Sequence, residues 1–254
     1  MPIGPAKMPL LQHLDELRKR LFVVIGVLLV ATIVMYFFTE PIYRFVVAPV
    51  WPLLGGEKPI ATGWLQPMMV KFSLSLWSAV VLCSPIIVWQ ALAFFLPALR
   101  PKERKWVVPT FAAMVLLFIG GVAFCYALVL NASFSWLAEQ AGSIIRLTPT
   151  AEDMLTVVEF FLIGFGIAFQ TPVVVFYLVY FGVVPYAKLR ANWRIVYVSI
   201  VVISAMITPD FSPVAMGALS AAMIALYEIS LALVRIVLAR RIKARSAEDV
   251  AEEA

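Results

Sequence analysis

The chain has 254 residues, of which 63% are hydrophobic and 14% are charged, and its mean hydropathy is +0.97. A soluble domain of this length cannot bury so much apolar surface, so the composition excludes a soluble globular protein and predicts an integral membrane protein. The net charge of +5 would suit a nucleic-acid-binding protein, but cytoplasmic loops of membrane proteins carry the same basic excess.

Six apolar segments are candidates for membrane-spanning helices, since a hydrocarbon core of about 30 Å needs about 20 helical residues. They are residues 22–38, 70–95, 107–130, 154–184, 195–207 and 214–234. We therefore predict an all-α protein with one six-span membrane domain over residues 1–234. The remaining residues, 235–254, are predicted to form a cytoplasmic tail with a polar, acidic and disordered end.

The first span follows a basic segment, as the apolar part of a cleavable signal peptide does. Its apolar run is long and ends in FFTEPIY rather than at a small-residue cleavage site, so we predict a retained span. The fifth span is short, at about 20 Å of helix, and the turn TPDFSP joins it to the sixth. Composition alone favours a peripheral hairpin that tilts, recruits neighbouring helices or thins the bilayer.

Lysine and arginine are distributed unevenly among the connecting segments. Sixteen of the twenty lie in the amino-terminal segment, in the loops after spans two and four, and in the tail. Cytoplasmic segments are enriched in these residues, so both termini are predicted to be cytoplasmic. The distribution also accounts for the basic charge without a nucleic-acid partner.

Neither a cofactor nor enzymatic chemistry is expected from the reactive side chains. Cys83 and Cys125 lie inside apolar runs, without the spacing of a disulfide framework or a metal site. The single histidine, His13, precedes the first span, so a Ser/His pair within the membrane cannot be built.

The segment HLDELRKRLF, residues 13–22, predicts an amphipathic helix at the membrane boundary. Asp15 precedes Lys19 by four residues, and Glu16 precedes Arg20 by four, which is the favourable order for ion pairs on a helix. Two interpretations remain open. The charged side is either a solvated, salt-bridged face or a surface whose carboxylates recognise a cationic partner.

Five motifs occur in a defined order along nearly all of the chain. They are HLDELRKRLF (13–22), SPIIVWQALAFFLPALRPKERKWVVP (84–109), GFGIAFQTPVVVF (164–176), the turn at 208–209 and LYEISL (226–231). In this order they resemble the TatC family, the multi-span receptor subunit of the twin-arginine protein translocase.

The resemblance implies a curved, glove-like wall of six helices, with partners of the TatA and TatB kind docking near the short fifth and sixth spans. It implies a receptor for the paired arginines in signal peptides of folded precursors, which works with those partners and other TatC copies and is driven by the proton-motive force. With no transit peptide before the first motif, a bacterial or archaeal plasma membrane is expected.

Matching the motifs assigns Glu16 and Glu103 to guanidinium binding. A carboxylate can bind a planar guanidinium through two hydrogen bonds and so discriminate against lysine. The surrounding basic residues keep both carboxylates ionised but weaken their attraction for a cation, so selectivity must come from local geometry.

Further residues of the motifs have supporting roles. Arg18 and Arg20 are expected to orient Glu16 or to contact backbone carbonyls of the signal peptide. Phe94 is expected to cover a signal-peptide side chain or, alternatively, simply to pack within the protein. Prolines that match the family are expected to shape the backbone: Pro49, Pro85, Pro97 and Pro209.

The fourth span departs from the family pattern, because Gln170 stands where many members have glutamate. Glu159 lies eleven residues earlier, about 20° away on a regular helix, so the carboxylate could have moved along one helical stripe. Glu159 and Glu228 are functional candidates because ionisable groups within a membrane are costly. For Glu159 the alternative is a position near the outer interface, where it would reach water.

A proton-coupled transporter of small solutes is the alternative function, because it too would place glutamates within its spans. Such transporters usually contain repeats and broken helices around a midplane site, and the sequence shows no such repeat.

Overall fold

The computed structural model describes residues 10–54, 59–95, 107–142, 148–208 and 212–237. Within these ranges the regular structure is helical, and the one β-type contact is an isolated bridge between Ile60 and Thr150. The predicted all-α fold class is therefore confirmed.

The α-helices of the described ranges are named here in chain order. They are α1 (Leu10–Tyr36), α2 (Thr39–Val47), α3 (Gln66–Leu82), α4 (Ser84–Phe95), α5 (Val107–Phe124), α6 (Leu130–Ala141), α7 (Ala151–Ala168), α8 (Thr171–Tyr180), α9 (Tyr186–Ala191), α10 (Trp193–Ile207) and α11 (Pro213–Val237). A 3-10 helix (Trp51–Leu54) follows α2, and a π-helical turn (Cys125–Val129) joins α5 to α6.

Four helical stretches are long and apolar enough to cross a membrane. They are Leu14–Tyr36, Val107–Gln140, Ala151–Tyr180 and Pro213–Val237. The pair α3 and α4 gives a fifth if the two bent helices form one span, and α10 is a shorter apolar helix of 15 residues. These elements coincide with the six predicted segments, and the number of spans stays a prediction.

Prolines follow the places where two long apolar segments are interrupted. Pro85 is the second residue of α4, and the axes of α3 and α4 differ there by 57°. Pro172 is the second residue of α8, directly after the interruption at 169–170. Proline lacks an N–H and disfavours a helical residue before it, so each helix restarts at its proline. Pro49 lies in the turn after α2, whereas Pro97 and Pro209 lie outside the described residues.

Helix α7 is the central element of the packing. It contacts α3, α5, α10 and α11, and its side chains Val158, Phe161 and Phe165 are almost fully buried. Together with residues of the π-helical turn and of α11, they form the largest apolar cluster in the described structure.

Glycines allow α5 and α7 to approach each other closely. A Cβ atom at Gly121 would lie 2.6 Å from the carbonyl oxygen of Phe165. A Cβ atom at Gly166 would lie 2.7 Å from the ring of Phe118. Small residues are typical of helix contacts in membranes, where apolar surface gains nothing by leaving lipid and close packing must supply the stability.

Gly121→Ala is expected to destabilise the fold by about 1–3 kcal/mol, because a clash with a backbone oxygen cannot be relieved by rotating a side chain. Thermal unfolding of the purified full chain in detergent measures the effect. Gly120→Ala is the matched control, since nothing outside its own helix lies within 4 Å of the added atom. Equal unfolding temperatures for the two variants would contradict the close contact of α5 with α7.

Candidate functional site

The carboxylate of Glu16 is held by a residue one turn further along α1. Arg20 donates to Oε1 of Glu16 from Nη2 at 2.5 Å and from Nε at 3.2 Å. Its Nη1 donates to Oε1 of Gln90 on α4 at 3.2 Å. Arg20 therefore fixes the position of Glu16 and ties α1 to α4.

The geometry leaves acceptor capacity on Glu16. Both hydrogen bonds from Arg20 fall on Oε1, whereas a carboxylate offers about four lone-pair positions on its two oxygens. The side chain is 22% exposed. Within the described part of the chain no donor binds Oε2, which leaves this oxygen available to a further cation.

The other charged residues of this part of α1 do not bind Glu16. Lys19 and Asp15 form a second ion pair at 2.7 Å, and both side chains are well exposed to the surroundings. The guanidinium carbon of Arg18 lies 5.5 Å from the ring centre of Phe22. In this structure Arg20, not Arg18, contacts Glu16.

The remaining predicted contacts of the signal-peptide site lie on or after α4. Phe94 is half-buried and follows Gln90 by one helical turn, so it lies on the face of α4 that meets Arg20. Glu103 lies outside the described residues. The sequence did not identify Gln90 as part of this site, although it stands within a recognised motif, because its partner Arg20 is 70 residues away.

Glu159 lies in the interior of the helix assembly. It is 4% exposed, and its Oε2 accepts a hydrogen bond from Ser73 Oγ of α3 at 2.6 Å. The other oxygen, Oε1, is buried and has no partner among the described residues. The chain therefore encloses this carboxylate, and its depth in the membrane stays a prediction.

Gln170 bonds to a different helix. Its Nε2 donates to the backbone oxygen of Met114 in α5 at 3.1 Å, while its own Oε1 is buried without a partner in the described part of the chain. Because Glu159 bonds to α3, the two side chains do not share one polar site. A spacing of eleven residues places two side chains on one stripe only in a regular helix, and the chain forms a turn at 169–170, between α7 and α8.

Glu228 takes part in a polar cluster between three helices. Arg190 of α9 donates from Nη1 to Oε2 at 3.0 Å, and Tyr197 of α10 donates its hydroxyl to Oε1 at 2.7 Å. The Glu228 side chain is 38% exposed, so it is not an isolated acid within apolar surroundings. Its partner Arg190 belongs to a loop that is predicted to be cytoplasmic.

The fold and these sites define a multi-pass α-helical membrane protein with polar groups bound between its helices. No cluster of His, Cys, Asp and Glu in the described ranges could hold a metal ion.

Comparison with known proteins gives the family. Residues 12–221 match the family model described as Sec-independent protein translocase protein (TatC), and the chain belongs to the TatC family. The TatC protein of Deinococcus radiodurans is 33% identical over 236 residues, which cover 91% of this chain and 87% of that protein. The TatC protein of Escherichia coli K12 is 33% identical over 202 residues, which cover 79% and 78%.

A solved structure agrees with the computed fold. The crystal structure of the twin-arginine translocase receptor TatC in DDM superposes with a TM-score of 0.76 at 26% identity. The match covers 87% of this chain and 98% of that chain. The fold is therefore that of TatC.

Tyr197→Phe is expected to lower the unfolding temperature by a few degrees, because it removes a short hydrogen bond to a charged acceptor. Arg190→Gln is expected to have a smaller effect, since Arg190 is 58% exposed and exposed ion pairs contribute little. Thermal unfolding in detergent compares the variants. A larger loss for Arg190→Gln would mean that the ion pair between α9 and α11 stabilises the fold more than the hydrogen bond between α10 and α11.

Proposed function

We propose that this protein is the signal-peptide receptor and core subunit of a twin-arginine translocase, which moves folded proteins across the cytoplasmic membrane using the proton-motive force. Membership of the TatC family establishes a subunit of a Sec-independent protein translocase. The observation that carries the receptor role is the fixed position of Glu16, with one oxygen held by Arg20 and no partner on the other among the described residues.

The arrangement of Glu16 suits recognition by geometry rather than by net charge. The positive charge of Arg20 offsets that of the carboxylate, so long-range attraction for another cation is weak. A second guanidinium can still donate two N–H groups to Oε2, as Arg20 does to Oε1, which an ammonium cannot do in the same planar geometry. A preference for arginine over lysine follows from this difference.

The other contacts of the receptor site are part of the same proposal. Glu103 is assigned to the second guanidinium of the signal peptide, and Phe94 to covering one of its side chains. Support for Phe94 comes from its position on α4, one turn beyond Gln90. The role is binding and transport, and no catalytic residue is proposed.

The proposed orientation places both termini in the cytoplasm, with six spans in a bacterial or archaeal plasma membrane. The distribution of Lys and Arg supports this orientation. The expected partners are single-span subunits of the TatA and TatB kind and further copies of TatC. Docking of the single-span subunits is proposed near the short helix α10 and its neighbour α11.

Glu16→Gln is expected to weaken binding of a twin-arginine signal peptide about 10- to 100-fold, since a hydrogen bond between charged groups contributes ~1.5–3 kcal/mol. The amide oxygen of Gln can still accept from Arg20, so the helix contact persists. Binding is measured as photocrosslinking from a probe in the signal peptide to the full chain in membranes, using paired arginine and paired lysine peptides.

Asp15→Asn is the matched control for this experiment. It removes the same charge from the adjacent position, but Asp15 is 55% exposed and pairs with Lys19 instead of Arg20. Crosslinking to Asp15→Asn should stay within about twofold of the unaltered protein, as expected for an exposed ion pair. The assignment fails if Glu16→Gln keeps the full preference for arginine over lysine.

A further inference from the structure

A cavity of about 450 Å³ lies between α2, α3, α5 and α7. Its walls are largely apolar, with Phe45 of α2, Trp77 of α3, Val122 of α5 and Leu162 of α7 among them. The volume lies within the range of sites that bind small ligands or protein side chains. The signal-peptide residues Glu16 and Phe94 do not line it.

Glu159 is the one charged side chain among the residues that line this cavity in the described structure. Its Oε2 is bound by Ser73, but its Oε1 is buried without a hydrogen-bond partner among those residues. The hydroxyl of Tyr126, which also lines the cavity, is already donated to the backbone oxygen of Phe45 at 2.6 Å. Ser78 and Trp77 also line the cavity, but neither bonds to Oε1 in the described structure.

An unpaired carboxyl oxygen is costly in an apolar cavity, and more so within a membrane. A ligand that brings a hydrogen-bond donor to Oε1 would remove this cost. A side-chain amide fits best, because it can donate to an ionised carboxylate and can both donate to and accept from a protonated one.

The cavity is accessible from the lipid side of the protein. Its rim includes Phe45, Leu82 and Ile119, which are 64%, 59% and 49% exposed. In a membrane-spanning chain such apolar side chains face the bilayer. A ligand therefore reaches the cavity through the membrane rather than from the aqueous loops.

The depth of Glu159 in the membrane distinguishes between the ligands that could enter the cavity from the bilayer. It lies six residues beyond Asp153, the last acidic residue of the first turn of α7, which corresponds to about 9 Å along the helix. Lipid acyl chains at this depth have no donor, and lipid headgroups lie at the interface. A transmembrane helix can present a polar side chain at this depth.

We propose that this cavity binds a transmembrane helix of a partner subunit, which donates a hydrogen bond from a polar side chain to Oε1 of Glu159. Ser73 acts as a positioning residue, since its hydroxyl holds Oε2 and leaves Oε1 for the ligand. The site is separate from the receptor site proposed above. Its test requires neither a signal peptide nor translocation.

The test uses the purified full chain in lipid nanodiscs and labelled polyleucine transmembrane peptides. One peptide carries a single Asn about 9 Å from the outer end of its apolar segment, matching the depth of Glu159. The other carries Leu there, which has a similar size and no donor. Energy transfer between labels measures binding, and the Asn peptide should bind about tenfold more tightly, as expected for one hydrogen bond within a membrane.

Substitutions of Glu159 identify the acceptor. Glu159→Leu should remove the preference for the Asn peptide, whereas Glu159→Gln should retain part of it because the amide oxygen still accepts. Ser73→Ala should reduce the preference while leaving binding of the Leu peptide unchanged.

A blocking variant keeps the test informative if Glu159→Leu does not fold. Ala123 lines the cavity from an exposed position of α5, so Ala123→Trp should fill it and abolish the preference without disturbing the buried core. Ala112→Trp is the matched control, since Ala112 is exposed on the same helix and outside the cavity lining. Equal affinities of both peptides for the unaltered protein would overturn the proposal and indicate lipid or water in the cavity. A preference that survives Ala123→Trp would overturn it as well.

Discussion

The close contact of α5 with α7 determines where the other helices of this protein can lie. Apolar side chains gain nothing by exchanging lipid for protein, so the association of these helices depends on how closely their backbones approach. Gly121 and Gly166 permit that approach from both sides of the interface. With α5 in this position, α3 and α11 enclose the remaining faces of α7, and the largest apolar cluster forms around its phenylalanines.

This packing explains why the polar side chains within the apolar segments have different hydrogen-bond partners. Gln170 stands at the interruption between α7 and α8 and donates to a backbone carbonyl of α5. Glu159 lies nearer the start of α7, faces α3, and accepts a hydrogen bond at one of its two carboxyl oxygens. Glu228 and Glu16 are partly exposed and are paired with arginines. Glu159 is buried instead, and its one partner among the described residues is the neutral hydroxyl of Ser73.

Features that depend on neighbouring residues could be predicted from the sequence. The apolar segments, the bend at Pro85 and the pairing of Glu16 with Arg20 all follow from length, proline chemistry or a spacing of four residues. Contacts between distant parts of the chain could not be predicted. Gln90 and Arg190 meet partners 70 and 38 residues away, and nothing in the local pattern identifies those partners. The common helical stripe expected for Glu159 and Gln170 is not found for another reason, since a helical wheel assumes an uninterrupted helix.

The amide of Gln170 and the carboxylate of Glu159 have different roles in this chain. An amide donates to the Met114 carbonyl without a proton from elsewhere, whereas a carboxyl group could donate there only when protonated. The interruption of α7 is thus held by a group that does not titrate. Glu159 is then the one buried acidic side chain in the described ranges, and it faces a cavity instead of a helix backbone. Because this cavity and the proposed receptor site near Glu16 share no described residue, the two proposed ligands, a helix within the membrane and a signal peptide, can bind at the same time.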